Sequence, residues 1–431
     1  MSGQYSTSVK VQYLQPRTHL NNTLTEFRLD QDSAYFPNLR LSNIGLTATA
    51  GKKHNELVGC YGCIKNIRLM DGSVEISATR HANRWLSFMA QRDHNQNNLC
   101  VHSSLSKARV GYMLNDNDKC NFVFTHTNDV IAVAGDAGDK DNKLGLLDLR
   151  KVFPILQNLT ILDTSLMRNL KVVIEWTIDP TIVATLKDIA GVKIKEPELL
   201  CDQVMAEGAI NSLRKSQKSV VWDEIEHDQY NMPEISNPGA TVKQVQSVSA
   251  VVNGFDNKYV SRMVLMKVPA IKTDMYSGDI SQGLGNFASV NLFREKVQLR
   301  VNGANIFAGD GIRSDSQKAM LMSQSWGDLN VLPFSNRQNV GSEDRDAVVQ
   351  NSSGVPTLNT ANKMDERVGH SDYIGFSLED KIRQLNFQHE RTCLNNTLAI
   401  RQNELAYDIH IFAECRKVLS LGNGGYKISY M

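Results

Sequence analysis

The stretch that decides the fold is residues 404–431, ELAYDIHIFAECRKVLSLGNGGYKISYM. Apolar side chains occupy every second position of its first part: Leu405, Tyr407, Ile409, Ile411, Ala413 and Cys415. Charged or polar side chains take the other parity: Asp408, His410, Glu414 and Arg416. A period of two predicts a β-strand with one face in a core and the other in water. The glycine-rich segment 422–425 predicts a turn, and residues 426–430 alternate again, so the stretch predicts a long hairpin.

Partner strands for this hairpin must lie earlier in the chain, because other strands have to hold a chain end inside a sheet. The hairpin therefore predicts a β-sandwich whose last two strands it supplies. A chain of 431 residues suits two domains of about 200 residues each, a size that single sandwiches reach. The phrases LGLLDLR at 144–150 and IGFSLED at 374–380 lie 230 positions apart (374 − 144), which favours a duplicated domain.

Composition divides the chain into four segments. Residues 1–24 are polar with scattered apolar side chains, and they predict an N-terminal arm that is either disordered or ordered by a neighbouring subunit. Residues 25–230 and 242–431 carry the alternating runs of a first and a second sandwich. Residues 231–241 include Pro233, Pro238 and Gly239, and we expect them to form the linker.

Many short runs have strand periodicity. They are 26–30, 39–41, 64–69, 74–76, 122–124, 170–176, 220–225, 242–252, 259–268 and 297–301. Asp71-Gly72 and Asn253-Gly254 separate two pairs of these runs and favour tight hairpin turns. We expect the run at 220–225 to be the last strand of the first half.

A few stretches predict short helices, namely 82–89, 146–153, 316–326 and 378–385. Thr79 is positioned to cap the first, and Pro154 should end the second. Ser377 and Asp380 resemble a capping box for the last. The polar stretches at 92–118, 135–142 and 334–369 predict long loops. The fold class expected from these patterns is mostly β, with short helices and long loops.

Charge and cysteine usage narrow the function. The formal net charge is +1, and 22% of residues are charged, so no global field would attract nucleic acid or an anionic membrane. Lys10 and Arg17 of the arm neutralise too little phosphate to bind DNA alone. Seven widely spread cysteines favour a reducing compartment over a disulfide framework. The first residues are not typical of a signal peptide, and no apolar run is long enough to span a bilayer, so we expect neither secretion nor membrane insertion.

Motifs that could carry chemistry are weak. His389-Glu390 lacks the second histidine of a zinc protease, and exposed charge on a strand is the favoured interpretation. Cys60 and Cys63 form a lone Cys-x-x-Cys pair, which favours buried or semi-buried structural thiols over redox or metal chemistry. The glycines at 283–288 imitate a dinucleotide fingerprint without its strand-turn-helix setting, so a flexible loop is expected.

Other candidates also favour structural roles. The carboxylates at 136–141 and the polar run 115–118 lack the spacing of a calcium loop, so solvated loops are expected there. The four tryptophans lie among apolar residues, and core packing is favoured over sugar stacking: Trp85, Trp176, Trp222 and Trp326. The sequence therefore predicts no enzyme, no cofactor, and no catalytic, cofactor-binding or metal-ligating residue.

Short phrases and strand order resemble those of the double jelly-roll major capsid proteins of polinton-like viruses, virophages and nucleocytoplasmic DNA viruses. The phrases are LDLRKVF at 147–153, LKVVIEW at 170–176, LRVNG at 299–303, SWG at 325–327 and FAECRKVL at 412–419. The resemblance spans roughly residues 25–431 and implies two tandem eight-stranded jelly rolls. It further implies a structural protein that assembles as a homotrimeric, pseudo-hexameric capsomer and tiles an icosahedral shell.

The resemblance also implies partners and a location. Partners would be other copies of the chain, neighbouring capsomers, and penton and minor capsid proteins, with no sequence-specific nucleic-acid binding. The arm is a candidate for contact with an internal membrane. The protein would reside in the virion capsid, after synthesis and assembly inside the host cell without a signal peptide.

Two other functions remain open from sequence. An intracellular carbohydrate-binding or glycan-active β-sandwich protein would need a groove with paired carboxylates and exposed aromatic side chains, and an aromatic content of 7% argues against it. A penton or spike protein of a similar particle is disfavoured by the presence of two comparable halves.

Overall fold

A computed structural model describes most of the chain. The described residues are 9–47, 59–93, 101, 105–106, 144–177, 193–216, 219–233, 244–269, 295–327, 348–350, 356–358, 373–393, 406–422 and 425–431. The expectations for residues 115–118, 122–124, 136–141 and 283–288 lie outside these ranges. Within them, antiparallel β-sheets dominate and form two sandwiches.

Two sheets form the first sandwich. Sheet A contains β1 (Val9–Leu14), β4 (Ala34–Tyr35), β5 (Arg40–Ile44), β9 (Gly145–Asp148), β10 (Leu162–Asp163) and β13 (Glu198–Val204). Sheet B contains β2 (Thr18–Leu20), β3 (Leu24–Arg28), β7 (Ile64–Asp71), β8 (Val74–Arg80) and β11 (Leu170–Trp176). The short strands β6 (Leu46–Thr47) and β12 (Lys193–Ile194) pair separately. The strands alternate inward and outward residues, so Phe27, Leu41 and Val172 are fully buried in one core.

The second sandwich has the same two-sheet construction. Sheet C contains β14 (Ser219–Met232), β16 (Tyr259–Pro269), β21 (Tyr373–Lys381), β23 (Tyr407–Gly422) and β24 (Gly425–Tyr430). Sheet D contains β15 (Gln244–Val252), β17 (Glu295–Val301), β18 (Ala304–Asn305) and β22 (Leu385–Cys393). Strands β19 (Val348–Gln350) and β20 (Pro356–Leu358) pair with each other. Phe376, Phe387 and Ile411 belong to the core between sheets C and D.

Helices are short and lie between strands. They are α1 (Ala82–Asp93), α2 (Ile155–Asn158), α3 (Glu207–Ser216) and α4 (Asp315–Trp326), with 3-10 turns at Cys60–Cys63 and Leu149–Lys151. The helix predicted at 316–326 is confirmed as α4. It begins at a complete capping box in which Ser314 accepts from the Gln317 amide and the Gln317 side chain accepts from the Ser314 amide, which satisfies two otherwise unpaired backbone donors.

The predicted terminal hairpin is confirmed, and it has a larger role than the sequence indicates. β23 pairs with β24 on one side, and on the other side it pairs with every residue of β14, from Ser219–Ser420 to Met232–Tyr407. Ile409 and Ile411 of β23 lie in the second core, whereas Leu419 lies in the first. β23 therefore crosses from one sandwich into the other.

The expectation that the run at 220–225 is the last strand of the first half is wrong, because this run forms its backbone hydrogen bonds in the second sandwich. Val220 and Trp222 do pack in the first core, as their apolar character suggests. Their strand, β14, nevertheless pairs with β23 in sheet C. A periodic pattern reports which face is buried, but it does not report which strand supplies the hydrogen bonds.

Three local expectations are corrected by the pairing. Thr79 does not cap a helix, because it lies in β8 and its buried hydroxyl donates to the Val152 carbonyl. The stretch 146–153 is the end of β9 and a 3-10 turn, and Pro154 precedes α2 instead of ending a helix. A proline with φ −58° is compatible with a helix start, because the first turn needs no amide donor from it.

The predicted capping box at Ser377 and Asp380 is also wrong. Both residues lie in β21, which pairs with β16 from Tyr259–Lys381 to Met266–Tyr373. The buried side chains of Ile374 and Phe376 already follow the two-residue period of a strand. Sheet hydrogen bonds thus override a local helix signal.

Residues within the predicted arm also form strands. β1 pairs with β13 from Val9–Val204 to Leu14–Leu199, and β2 pairs with β3. From residue 9 onward, this segment therefore contributes to the sheets of its own chain. Most of the predicted linker, residues 234–241, lies outside the described ranges.

Candidate functional site at the seam between the sandwiches

The seam is the contact between helices α1 and α4 and the outer face of sheet C. Strand β8 of the first sandwich runs into α1 through His81, whose φ is 50°, and the amides of Arg84 and Trp85 donate to the His81 carbonyl. This sharp turn directs α1 onto the second sandwich. The apolar side chains of the seam are Trp85, Phe88, Ile225, Val264, Met266, Val268, Met322, Trp326, Tyr373 and Phe412.

Aromatic rings fill the seam. The Trp326 ring lies 5.9 Å from the Trp85 ring and 5.2 Å from the Phe88 ring, both in edge-to-face arrangements. The Trp326 indole donates to the Met263 carbonyl at 2.9 Å, and the Arg262 guanidinium lies 4.1 Å from its ring centroid. A buried, aromatic contact of this kind joins the two sandwiches firmly, unlike the polar interface of mobile domains.

A buried carboxylate forms a second link across the seam. Glu224 of β14 accepts hydrogen bonds from the Ser77 hydroxyl and the Ala78 amide of β8, both at 2.8 Å. The Trp222 indole donates to its other oxygen at 2.5 Å, and the Lys417 ammonium lies 3.9 Å away. Burial raises the pKa of Glu224 to about 7, against the lowering effect of Lys417 and the donors.

Three histidines meet at the same seam. His81 follows β8, His227 lies on β14 and His410 lies on β23, and one ring nitrogen of each lies within 4.8 Å of the others. The Nε2 of His227 is 2.8 Å from the Nδ1 of His410, and Arg84 donates to the Nδ1 of His81 at 3.1 Å. Burial, with nearby cations, lowers the pKa of His81 to about 4 and that of His227 to about 2. All three rings are therefore neutral near pH 7.

The expected orientation of His410 is wrong. Its parity on the strand suggested water, but the side chain is 1% exposed, because α1 and α4 cover the outer face of sheet C. Burial also lowers the pKa of His410. Its Nε2 is buried and has no hydrogen-bond partner among the described residues.

The expectation of exposed charge at His389 is also wrong. His389 is fully buried between sheets C and D, where its Nε2 donates to Glu295 at 2.7 Å and its Nδ1 lies 2.9 Å from the Tyr230 hydroxyl. The other Glu295 oxygen pairs with the fully buried Lys267. Burial alone would raise the pKa of Glu295, but Lys267 and His389 lower it to about 2.

This Tyr230–His389–Glu295–Lys267 cluster resembles a catalytic relay in composition alone. Tyr230 is 8% exposed and the other three members at most 1%, so a substrate has no route to them in this conformation. The cluster satisfies its own charges and hydrogen bonds, which is the usual condition for polar groups inside a core.

The predicted burial of the cysteine pair and the predicted core packing of the tryptophans are confirmed. Cys60 and Cys63 are fully buried in the first core, and burial together with Cys60 raises the pKa of Cys63. Trp85, Trp176, Trp222 and Trp326 are each at most 5% exposed. None of the four is available for stacking on a sugar.

A groove of about 590 Å³ on the first sandwich bears on the glycan-binding alternative. It is lined by Phe36, Pro37, Asn38, Asp148, Arg150, Lys151, Leu156, Gln157 and Leu159. Among the described residues of this lining, Asp148 is the only carboxylate, and Arg150 pairs with it at 2.5 Å. The described part of the groove therefore offers no pair of carboxylates of the kind that glycoside hydrolysis uses. Among the described residues, no helix has the length and apolar character to cross a bilayer.

Neither known family models nor curated protein sequences match this chain. Several solved structures do match it. The mavirus major capsid protein aligns with 97% of this chain and 90% of its own at 12% identity, with a TM-score of 0.53. The alignment with a PBCV-1 virus capsid chain covers 100% of this chain and 99% of that chain, at 9% identity and a TM-score of 0.53. The alignment with the Faustovirus major capsid protein covers 98% of this chain and 92% of that chain, at 8% identity and a TM-score of 0.52.

The chain has a double jelly-roll fold. Both sandwiches align in each of these structures because the alignments cover nearly the whole of both chains. This confirms the fold class expected from the sequence and the fold resemblance drawn from its short phrases. In this double jelly roll, the histidine cluster and Glu224 lie where the two jelly rolls meet. The sequence carries no signal for that proximity, since the residues lie far apart along the chain.

Proposed function

We propose that this protein is the structural major capsid protein of an icosahedral virus. The observation that carries the proposal is the near-complete, two-domain alignment with capsid chains of mavirus, PBCV-1 and Faustovirus. The seam supports it further, because a shell unit must hold its two jelly rolls at a fixed angle, and aromatic packing with a buried carboxylate suits that purpose.

We infer that three copies form a pseudo-hexameric capsomer. Two similar sandwiches per chain allow a threefold trimer to present six comparable units, and that shape tiles a surface without gaps. Exposed apolar side chains on edge strands support self-association: Tyr13 on β1 is 62% exposed, and Val245 and Val251 on β15 are 54% and 61% exposed. Unpaired edges with apolar side chains favour contact with another chain.

The remaining parts of the proposal concern domains, partners and location. The two jelly rolls would correspond to residues 25–230 and 242–431, joined by 231–241, although β14 pairs into sheet C. Residues 1–24 would contact neighbouring subunits or an internal membrane. Capsomers would contact one another and the penton and minor capsid proteins, and the protein would reside in the virion after intracellular assembly.

Light scattering and negative-stain microscopy of the purified chain test the trimer. We expect a particle of three times the mass of one chain with a hexagonal outline. Val251→Asp should shift this particle toward monomer, because it places a charge on an apolar edge strand. Met320→Asp, on helix α4 where the side chain is 53% exposed, serves as the matched control because it does not lie on a sheet edge. A wild-type chain that stays monomeric at every concentration contradicts the proposal.

A further inference from the structure

We propose that His81, His227 and His410 form a binding site for a borderline divalent transition-metal ion, Zn²⁺ in particular, at the seam of the double jelly roll. The three rings come from three separate elements, namely the end of β8, β14 and β23. A metal bound there would connect the first sandwich to β14 and β23 of the second. All three ligands belong to one chain, so binding does not depend on the proposed trimer.

The spacing of the nitrogens suits a tetrahedral ion. One nitrogen of each ring lies within 4.8 Å of the other two, and the ring centroids are separated by 4.4, 5.1 and 5.1 Å. Tetrahedral zinc with Zn–N bonds of about 2.1 Å holds its ligand nitrogens about 3.4 Å apart. The Nε2 of His227 and the Nδ1 of His410, now 2.8 Å apart, would separate by a few tenths of an ångström to admit it.

The chemical state of the rings is the one that binds metals. Imidazole coordinates in its neutral form, and a histidine with the ordinary pKa of about 6.5 is already mostly neutral at pH 7. The buried Nε2 of His410 has no hydrogen-bond partner among the described residues. A neutral imidazole carries one proton, so this Nε2 holds it when the Nδ1 of His410 coordinates the ion. His81 and His227 are half-buried, which leaves an entry path.

Arg84 is the group that opposes the metal. Its guanidinium can only donate, so its 3.1 Å contact with the Nδ1 of His81 occupies a lone pair of that ring. Besides burial, the cations Arg84, Lys65 and Arg80 lower the pKa values of these histidines, and a bound divalent ion would meet the same repulsion. We therefore expect moderate affinity, an anion or hydroxide as fourth ligand, and tighter binding when Arg84 is neutralised.

The test uses the purified full-length chain after treatment with chelator. Co²⁺ is added first, because tetrahedral Co²⁺ absorbs visible light much more strongly than octahedral Co²⁺, and Zn²⁺ is then used to displace it. We expect one tetrahedral Co²⁺ per chain, displaced by one Zn²⁺, and a rise in the thermal midpoint with Zn²⁺ that chelator reverses. This measurement on the wild type does not depend on whether any variant folds.

Variants identify the ligands. His227→Gln and His81→Gln should each weaken Zn²⁺ binding by more than the roughly 10- to 100-fold that loss of an outer-shell partner costs. Arg84→Met should strengthen binding. His19→Gln serves as the matched control, because His19 lies on β2 and its ring contacts Thr25 at 2.8 Å, so Zn²⁺ affinity should not change. Octahedral Co²⁺ alone, or equal affinity in wild type and His227→Gln, would overturn the proposal.

Discussion

Lys267, Glu295 and His389 place an ammonium, a carboxylate and an imidazole inside the core of the second jelly roll. Lys267 and His389 are fully buried and Glu295 is 1% exposed. The Lys267 ammonium also lies 4.2 Å from the centroid of the Tyr407 ring. A buried ion pair contributes little compared with an apolar pair of similar volume, but removal of one member leaves an uncompensated charge.

Lys267→Met is therefore expected to lower the free energy of unfolding by about 3 to 5 kcal/mol. Urea denaturation followed by tryptophan fluorescence measures the change. Lys296→Met is the matched control, because Lys296 is partly exposed and its partner Asp310 is 75% exposed at 3.5 Å, so we expect a change below about 1 kcal/mol. Equal effects of the two substitutions would show that the buried pair has no special role.

The free energy of unfolding should depend on pH through the carboxylate of Glu295. Since Lys267 and His389 lower the pKa of Glu295 from 4.5 to about 2, the unfolded chain takes up a proton at a higher pH than the folded chain does. The stability that ionised Glu295 contributes to the folded state is fully present above pH 4.5 and is lost as pH falls from 4.5 toward 2. It amounts to at most about 3 kcal/mol.

Urea midpoints at pH 5 and pH 3.5 test this expectation. The wild type should lose stability between them, and Glu295→Gln should lose less because it cannot take up that proton. Glu379→Gln is the control, since Glu379 is 57% exposed, and its pH dependence should equal that of the wild type. Parallel pH profiles for Glu295→Gln and wild type would contradict the assignment.

For single residues, the sequence predicts the burial of apolar side chains better than that of polar ones. Alternation correctly predicts that Ile409, Ile411 and Cys415 are buried. It misplaces His410 and His389, because a polar residue on a strand is assigned to water by default. Only the position of a covering element, α1 and α4 for His410 and sheet C for His389, could correct this, and such contacts are long-range.

Among the secondary-structure elements, α4 lies unusually close to β21 at Gly375. A Cβ at this glycine would lie 2.9 Å from Trp326 Cδ1 and 3.1 Å from Met322 Sδ, and closer still to Ser325 Oγ. Gly145 on β9 is similarly close to Cys60 and to the Leu105 carbonyl. The similarity of the two phrases that contain these glycines thus corresponds to two strands with a closely packed neighbour, not to two helix starts.

Gly375→Ala is expected to destabilise the protein by about 1 to 3 kcal/mol, because the helix must move away from the strand. Gly208→Ala is its control, since no atom lies within 4 Å of a Cβ there and the position is in α3, so the change should be neutral or stabilising by up to about 1 kcal/mol. Thermal denaturation measures both. Destabilisation by Gly208→Ala that equals the effect of Gly375→Ala would refute the steric explanation.

Local helix signals succeed or fail for a physical reason. The capping box at Ser314 and Gln317 precedes a real helix, whereas Ser377 and Asp380 imitate one within a strand. The difference is that β16 offers β21 a ladder of backbone hydrogen bonds. Short motifs therefore predict helices only where no strand partner competes, and the partner is not visible in the local sequence.

The seam should behave as one cooperative contact between α1 and α4. Trp85→Ala and Trp326→Ala should each cost about 3 to 5 kcal/mol, and the double variant should lose less than the sum by about 0.5 to 1.5 kcal/mol. Trp176→Ala with Trp326→Ala is the control cycle, because Trp176 lies in the first core and bonds to Thr25, and should be additive. Additivity in the Trp85 cycle would mean that the helices stabilise the two jelly rolls independently.

For the whole molecule, the long strand pair β14–β23 makes the two jelly rolls interdependent. Val220 and Trp222 of β14 and Leu419 of β23 are buried in the first core, and Leu421, Tyr426 and Ile428 of the hairpin pack against it. The same strands place Tyr230 and Ile409 in the second core. The first jelly roll is thus completed by residues at the C-terminal end of the second half of the chain.

A fragment ending at residue 233 should therefore fail to fold alone, because its core lacks the residues that β23 and β24 supply. Co-expression with residues 244–431 should restore a soluble complex with native near-ultraviolet circular dichroism. The same partner fragment truncated after residue 416 should not, since it retains its own core residues up to Cys415 but loses Leu419, Leu421, Tyr426 and Ile428. If residues 1–233 unfold cooperatively on their own, or if the truncated partner rescues them equally well, the terminal hairpin does not complete the first jelly roll and the two halves are independent domains.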